Sequence, residues 1–404
     1  MSTNIGGRVL NPAYQGVEDV FRENFTDGWE PQGAAFAAYV NGDLVVDLWG
    51  GYADSSCGWK WREDTMATIF SCTKSLASMV FASFVEKGLL SYSDPVSKYW
   101  PEYAQRGKED TTISHILHHQ AGIPYFTDDD GSVTILDADE ATNAEGMDRL
   151  VEGQRAQFAP GSQTSYHALT FGYLLDGICR RVDPKGRNIG EYFQQEIANK
   201  HKLDVHIGKT ENVENRIARI YRIGELYSNI AKELYNKPDI VYGMHYILPP
   251  WSNTNRALQN FSGVANDFHM YNNPEMRKIG MPSVNGVGTA RDLARTMDLF
   301  MRGEIVSKTF VEKNLVNPVL VNKFDSTLGI YMSKGHGFMY TRSPTRDWQF
   351  GHLGVGGQNV KTDPKKGITF AYLTNGMKIG QGEKTQTMKR LEKALYECYN
   401  RQST

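Results

Sequence analysis

The chain is poor in cysteine, with four thiols in 404 residues at Cys57, Cys72, Cys179 and Cys398. That scatter provides neither a disulfide framework nor the close Cys/His pairs of a zinc site. No apolar run approaches the roughly 18 residues a membrane helix needs, so a helical span is not expected. An excess of one charge is also missing. Lys and Arg number 44 against 46 Asp and Glu, a formal net charge of -2. Nothing in that balance draws the chain to nucleic acid or an anionic membrane. The start, MSTNIGGRVLNPAYQG, lacks the basic and apolar regions of a secretory signal. Free thiols in a soluble, cytoplasmic protein are therefore the expectation. Internal repeats and low-complexity linkers are absent. What is present is an ordinary globular balance, 40% hydrophobic and 22% charged, enough for a large core or two lobes.

The stretch GAAFAAYVNGDLVVDLWGGYAD reads as two strands around Asn41-Gly42. That dipeptide takes the positive dihedrals of a tight hairpin turn. Residues 71–88 read as a helix ended by Gly88. Pro95 and Pro101 keep SDPVSKYWPEY irregular. ISHILHHQAGIP reads as a short helix stopping at Gly122, and HALTFGYLLDGICRRV and IGEYFQQEIANKH as further helices. GTARDLARTMDLFMRG is another, with Thr289 as its N-cap. WQFGHLGVGGQNVKTDP and GITFAYLTNG return to strands, and KTQTMKRLEKALYECYN closes the chain as a helix. Strands at both ends around a helical middle predict an α+β fold, with one sheet built from the two termini and an inserted helical lobe. Residues 15–90 with 285–400 would form the sheet lobe and 91–284 the helical lobe of a single catalytic domain. Segment 209–262, rich in tyrosine and charge, reads as a lid or pocket wall.

One chemical pattern stands out in IFSCTKSLASM. Ser71 and Lys74 lie one helical turn apart on one face. A serine hydroxyl is a poor nucleophile until a base takes its proton. The positive end of the helix and apolar neighbours both disfavour an ammonium at Lys74, so its amine can act as that base. The Ser71 N–H, unpaired at the helix start, can hold an oxyanion. By spacing alone the pair also describes an N-capping serine and a lysine reaching out to solvent.

Further segments give the pair a context. FSCTKS, LHHQAGIP, PGSQTSYHALTFG, GVGTARDLAR and FGHLGVGGQNV together resemble the β-lactamase-related serine hydrolases. Within these the chain is most similar to the esterase branch, the class VIII carboxylesterases. The resemblance runs from about residue 15 to about 380. It implies a five-stranded antiparallel sheet with flanking helices plus a helical lobe, with the serine in the cleft between them. It also implies a second base, a tyrosine. Tyr166 follows a Pro160-Gly161 turn and precedes an apolar helix, the family's setting. Tyr227 in Tyr227-Ser228-Asn229 is the literal Tyr-x-Asn and remains the alternative. In its working form the tyrosine would be partly ionised, or hydrogen-bonded by Lys74.

The third family element, Lys-Thr-Gly, is missing; His352-Leu353-Gly354 stands in its place. Position implies the Val355 N–H as second oxyanion donor and His352 as a partner of the serine–tyrosine network or of the substrate. His352, Leu353 and Ala168 offer little to a substrate carboxylate or acyl amide. That favours neutral esters over penicillins. His167, Gly354, Tyr242 and Trp251 are the expected pocket residues, the last two from an aromatic segment, 221–261, that also holds Tyr221, Tyr246 and Phe261. The same set also describes ordinary core.

Other signals are weaker. His115, His118 and His119 have helical spacing for zinc but no H-E-x-x-H arrangement. Asp128–Ser132 would open a calcium loop, but counted from Asp128 the sixth position is not glycine and Asp139 stands where the closing Glu belongs. No G-x-G-x-x-G or Gly-x-Ser-x-Gly occurs. The expectation is thus a serine esterase using Ser71, Lys74, Tyr166 and His352 on a small-molecule ester. Every role falls to a protein group, so no cofactor is expected. The rival readings are an acyltransferase using the same acyl-serine, a weak β-lactamase, and a retired enzyme serving as a binding or scaffolding protein.

Overall fold

A computed structural model describes residues 4–221, 249–261, 268–381 and 384–402. Strands β1 (Ile5–Val9), β2 (Gly33–Val40), β3 (Asp43–Asp54) and β4 (Trp59–Lys60) open the chain. Three two-residue strands, β5 (Ala67–Thr68), β6 (Val205–His206) and β7 (Val287–Gly288), pair in a small sheet of their own. Then come β8 (Leu320–Asp325), β9 (Ile330–Gly335), β10 (Phe338–Arg342), β11 (Trp348–Leu353), β12 (Val355–Gly356), β13 (Asn359–Asp363), β14 (Ile368–Thr374) and β15 (Lys378–Gln381). The helices that matter most here are α1 (Gln15–Thr26), α2 (Thr73–Glu86), α3 (Thr170–Val182), α4 (Ala290–Arg302) and α5 (Gln386–Gln402).

The main sheet runs β1-β3-β2-β14-β13-β11-β10-β9-β8, with β4 added on β3. All its pairings are antiparallel, and β14 of the C-terminal half lies directly on β2 of the N-terminal half. The joining of the two termini in one sheet follows the sequence expectation. The strand number does not: among the described residues ten strands stand where five were expected. The extra strands carry little apolar alternation. β1 reads IGGRV, and four of the six residues of β8 are exposed.

The central strands are apolar on both faces because both faces are covered. Ala34, Phe36 and Ala38 of β2 pack with Phe370 and Tyr372 against α1 and α5. Ala35, Ala37 and Tyr39 face the other way, into the core that holds α2, α3 and α4. The β2–β3 turn is Asn41-Gly42, at φ +51° and +92°. α4 buries Leu293, Ala294, Met297, Phe300 and Met301, a helical stripe. Thr289 caps it by accepting from the Asp292 N–H. α2 is different: every residue from Thr73 to Phe84 is buried, as suits a helix at the molecule's centre. It ends where Leu89 N–H reaches the Phe84 carbonyl, 2.9 Å, with Gly88 at φ +69°.

Two helices begin or end elsewhere than expected. The one at 113 covers only Ile113–Leu117, because His119 turns to φ +60°. α3 starts at Thr170 rather than at His167. The backbone and ring of His167 are already bound by His119, Ser165 and Ile123, which leaves Tyr166–Leu169 as a loop.

Candidate active site

A strained turn presents Ser71. Beyond β5, Phe70 takes φ +46°, a left-handed setting that costs a bulky residue ~1–2 kcal/mol. Edge-on contacts with Phe268 and Tyr271 hold its ring, with centres 5.7 and 5.6 Å away. Thr73 Oγ1 donates to the Phe70 carbonyl and accepts from the Gly286 N–H, at 2.6 and 3.0 Å. A 3-10 turn, Phe70–Cys72, runs straight into α2. Ser71 therefore sits half-buried at a helix entrance, where first-turn amides have no intrahelical acceptor.

Lys74 is fully buried one turn further on. Its Nζ lies 3.4 Å from Ser71 Oγ and donates to the carbonyls of Ala168 and Ser283, each at 2.8 Å. Burial drives its pKa well below the ordinary 10.5, with only the Cys72 thiol opposing. Loss of hydration penalises the ammonium, and no carboxylate among the described residues compensates it. The result is an amine basic in function, fixed by two acceptors and pointed at a hydroxyl.

Tyr166 is buried in the loop before α3, packed with Leu328, Met339 and Leu353. Lys74 Nζ lies 4.9 Å from its ring centre. Burial raises the phenol's pKa, a hydrogen bond with Ser71 lowers it, and Asp325 and Cys72 raise it further. The net shift is upward, so the phenol stays protonated. This corrects the expectation of a partly ionised tyrosine: the hydroxyl meets Ser71 as a neutral group, because the pocket is too dry for a phenolate. Both flanks of Tyr166 are pinned. Its own N–H donates to Asp325 Oδ1, 3.0 Å, and the next N–H, of His167, donates to His119 Nδ1, 3.1 Å. The His119 ring lies on Tyr166 at 4.6 Å between centres.

His352 is fully buried on β11. Its Nδ1–H donates to the Leu353 carbonyl at 2.6 Å, and its Nε2 has no partner among the described residues. Its ring centre is 6.1 Å from that of Tyr166. Burial first, then Lys74, hold its pKa well below 6.5, so the imidazole is neutral. Among the described residues no hydrogen bond joins His352 to the serine–tyrosine pair, so of its two expected partners the network is not engaged. Gly354 follows, and a Cβ there would come within 2.8 Å of the Ile69 carbonyl and 2.7 Å of Gln358 Cβ. A glycine thus lets the strand lie against the turn that carries Ser71. Val355, next along, begins β12 and pairs with β15.

The remaining candidates scatter. His167 does not line a pocket: it is fully buried, its Nδ1 bound to the Ser165 carbonyl and its Nε2 accepting from the Ile123 N–H. Trp251 is 75% exposed. Tyr221 hydrogen-bonds Asp54 and Phe261 stacks on Tyr173 in the core. Tyr242, Tyr246 and Tyr227 lie outside the described residues. The three histidines at 115, 118 and 119 face different neighbours: the Thr112 N–H, the His336 N–H and the His167 N–H. Among the described residues no three metal-ligating side chains converge. Asp128 and Asp130 spend their oxygens on Ser132 and Thr134.

Sequence reasoning missed Ala168 and Ser283, which hold Lys74 through carbonyls, and Asp325 and His119, which hold Tyr166 through amides. Backbone groups come with every residue type, so the first two leave no signature. LHHQAGIP offered a faint signal for His119.

The family model described as Beta-lactamase matches residues 21–395. Esterase/beta-lactamase LipL of Mycobacterium tuberculosis is 29% identical over 355 residues, covering 85% of this chain and 77% of the relative. The crystal structure of a penicillin-binding protein homologue from Caulobacter crescentus superposes with a TM-score of 0.80 at 30% identity, covering 98% of this chain and 100% of that one. That of a family VIII carboxylesterase gives 0.78 at 27% identity, covering 98% and 99%.

Proposed function

The chain belongs to the Beta-lactamase family and is a serine hydrolase of that fold with esterase relatives; from this we propose that it cleaves small neutral carboxylic esters through an acyl-serine at Ser71. One observation carries the reading: a buried amine, Lys74, whose pKa burial lowers, 3.4 Å from Ser71 Oγ and with no carboxylate beside it among the described residues. Ser71 attacks the ester carbonyl carbon while its proton passes to the Lys74 amine. The N–H groups of Ser71 and Val355 hold the oxyanion. Tyr166, a phenol hydrogen-bonded to Ser71, donates its proton to the departing alkoxide and is recharged from the Lys74 ammonium. Water then cleaves the acyl-serine by the same route reversed.

The substrate class follows from what the site offers. Where Lys-Thr-Gly would greet a carboxylate, this chain has a neutral His352 and the alkyl Leu353. Position 168 supplies a carbonyl to Lys74 and has no side-chain amide for an acyl group. Both features suit an uncharged ester, an easier acyl donor than an amide.

The test is Ser71→Ala assayed on p-nitrophenyl butyrate, with a fluorophosphonate probe and peptide mapping in parallel. Hydrolysis falls to background in the folded variant and the probe labels Ser71 of the parent chain. Undiminished turnover, or labelling elsewhere, refutes the assignment. Product analysis with an added alcohol separates hydrolysis from acyl transfer, and a carboxylate-bearing β-lactam should turn over far more slowly than the ester.

A further inference from the structure

We propose that Asp325 is a positioning residue for Tyr166, acting through the tyrosine's backbone, with Lys334 as its counter-charge. This rests on the role given to Tyr166 above. Asp325 closes the edge strand β8, far along the chain from either catalytic segment, and is fully buried. Its Oδ1 accepts three backbone amides: Tyr166 N–H at 3.0 Å, Thr327 N–H at 3.1 Å and Leu328 N–H at 3.0 Å. Its Oδ2 takes the ammonium of Lys334, itself buried on β9.

The tyrosine loop is held at Ser165 and His167 by His119, at Ala168 by Lys74 and at Leu169 by Ser283, while the amide of Tyr166 itself goes to Asp325. Residues 164–169 belong to no helix or sheet strand, and their link to β8 is one isolated bridge, Thr164 to Asp325. Around that bridge the Ser326 N–H reaches the Thr164 carbonyl at 3.0 Å, and the Ser165 and Thr327 hydroxyls meet at 2.7 Å. Asp325 is thus the centre at which the 325–328 turn and the tyrosine loop are locked in one register. A buried ion pair is a poor way to stabilise a fold, since desolvation of two charges offsets their attraction. A carboxylate can, however, gather several amides from two segments at once, which no apolar pair can do. Misplacement of a catalytic group by about an ångström lowers rates up to ~100-fold.

The experiment is a cycle on kcat and KM for p-nitrophenyl butyrate. Asp325→Ala with Lys334→Met removes both charges together, leaving none unpaired. We expect kcat to fall ~10–100-fold with KM within about twofold. Asp325→Asn with Lys334→Met returns an oxygen to the amides and recovers most of the loss. In a Tyr166→Phe background the Ala/Met pair has no further effect, because no phenol remains to be placed. Equal losses in both backgrounds, or a folded Ala/Met variant with parental kcat, overturn the proposal. Full activity of Tyr166→Phe by itself overturns instead the role of Tyr166. If circular dichroism shows the Ala/Met variant unfolded, Asp325→Leu with Lys334→Met, an apolar pair of similar volume that offers the amides no acceptor, carries the same cycle, and there a parental kcat, or an equal loss without the phenol, overturns it.

Discussion

An amine that loses its water and gains no carboxylate releases its proton at a lower pH than one in solution. Among the described residues Lys74 gains two neutral carbonyls, from Ala168 and Ser283, and the Ser71 hydroxyl. Its amine form therefore accumulates well below pH 10.5, and the acid limb of a kcat/KM profile should rise with pH through that depressed value. Lys74→Arg keeps the charge and abolishes the base, because a guanidinium stays protonated. It should lower kcat ~10³-fold in a folded protein, measured on the same ester. Tyr166→Phe should cost ~10²-fold and leave the acid limb where it was, since the phenol, with its pKa raised by burial, is protonated throughout that range. A limb that moves on loss of the phenol counts against the division of roles. At this scale the residue types were readable: serine, lysine and tyrosine are scarce in that order and context. The protonation states were not, because they depend on which atoms exclude water around them.

Between Gln358 on one side and Ile69 on the other, the strand after His352 has no room for a side chain at 354. Gly354→Ala would push β11–β12 away from the turn that carries Ser71. The expected cost is about 1–3 kcal/mol in a urea melt, with kcat reduced at least tenfold because Val355 moves too. A stable, fully active Gly354→Ala would remove this contact from the account. Elements of this kind differ in how plainly the sequence announces them. The β2–β3 hairpin was legible from Asn41-Gly42 and α4 from Thr289 and its apolar stripe. β8 was not, since its side chains are mostly exposed and show no alternation. Nor was the loop at 166–169, whose helical-looking sequence is overridden when His119, Ser165 and Ile123 bind His167.

Across the molecule, buried histidines set the acid stability. Burial lowers His118 to about 3, His336 to about 4 and His167 to about 4, against an ordinary 6.5. The unfolded chain thus binds protons that the folded one refuses as pH drops below 6.5. Their contribution is complete above 6.5 and lost progressively towards the folded values, ~2 kcal/mol for each by pH 5. Asp176 and Asp298, raised to about 6 by burial, act in the opposite direction and offset about half of that. Urea midpoints should therefore fall from pH 7 to pH 5, and His118→Asn should flatten the fall. An unchanged midpoint would contradict the burial of these rings. Among the described residues no helix is long and apolar enough to cross a membrane, in keeping with the lack of long apolar runs.

Local chemistry was settled by the order of residues: a serine one helical turn from a lysine, a glycine where two strands must touch, a dipeptide that forces a hairpin. Those effects act over three or four positions, so the sequence alone determines them. Whether Lys74 keeps its proton, whether Tyr166 is a phenol, and which carboxylate holds that tyrosine in place were decided only by folding. Each depends on groups 94 to 209 positions apart in the chain, and on the water that packing them together removes.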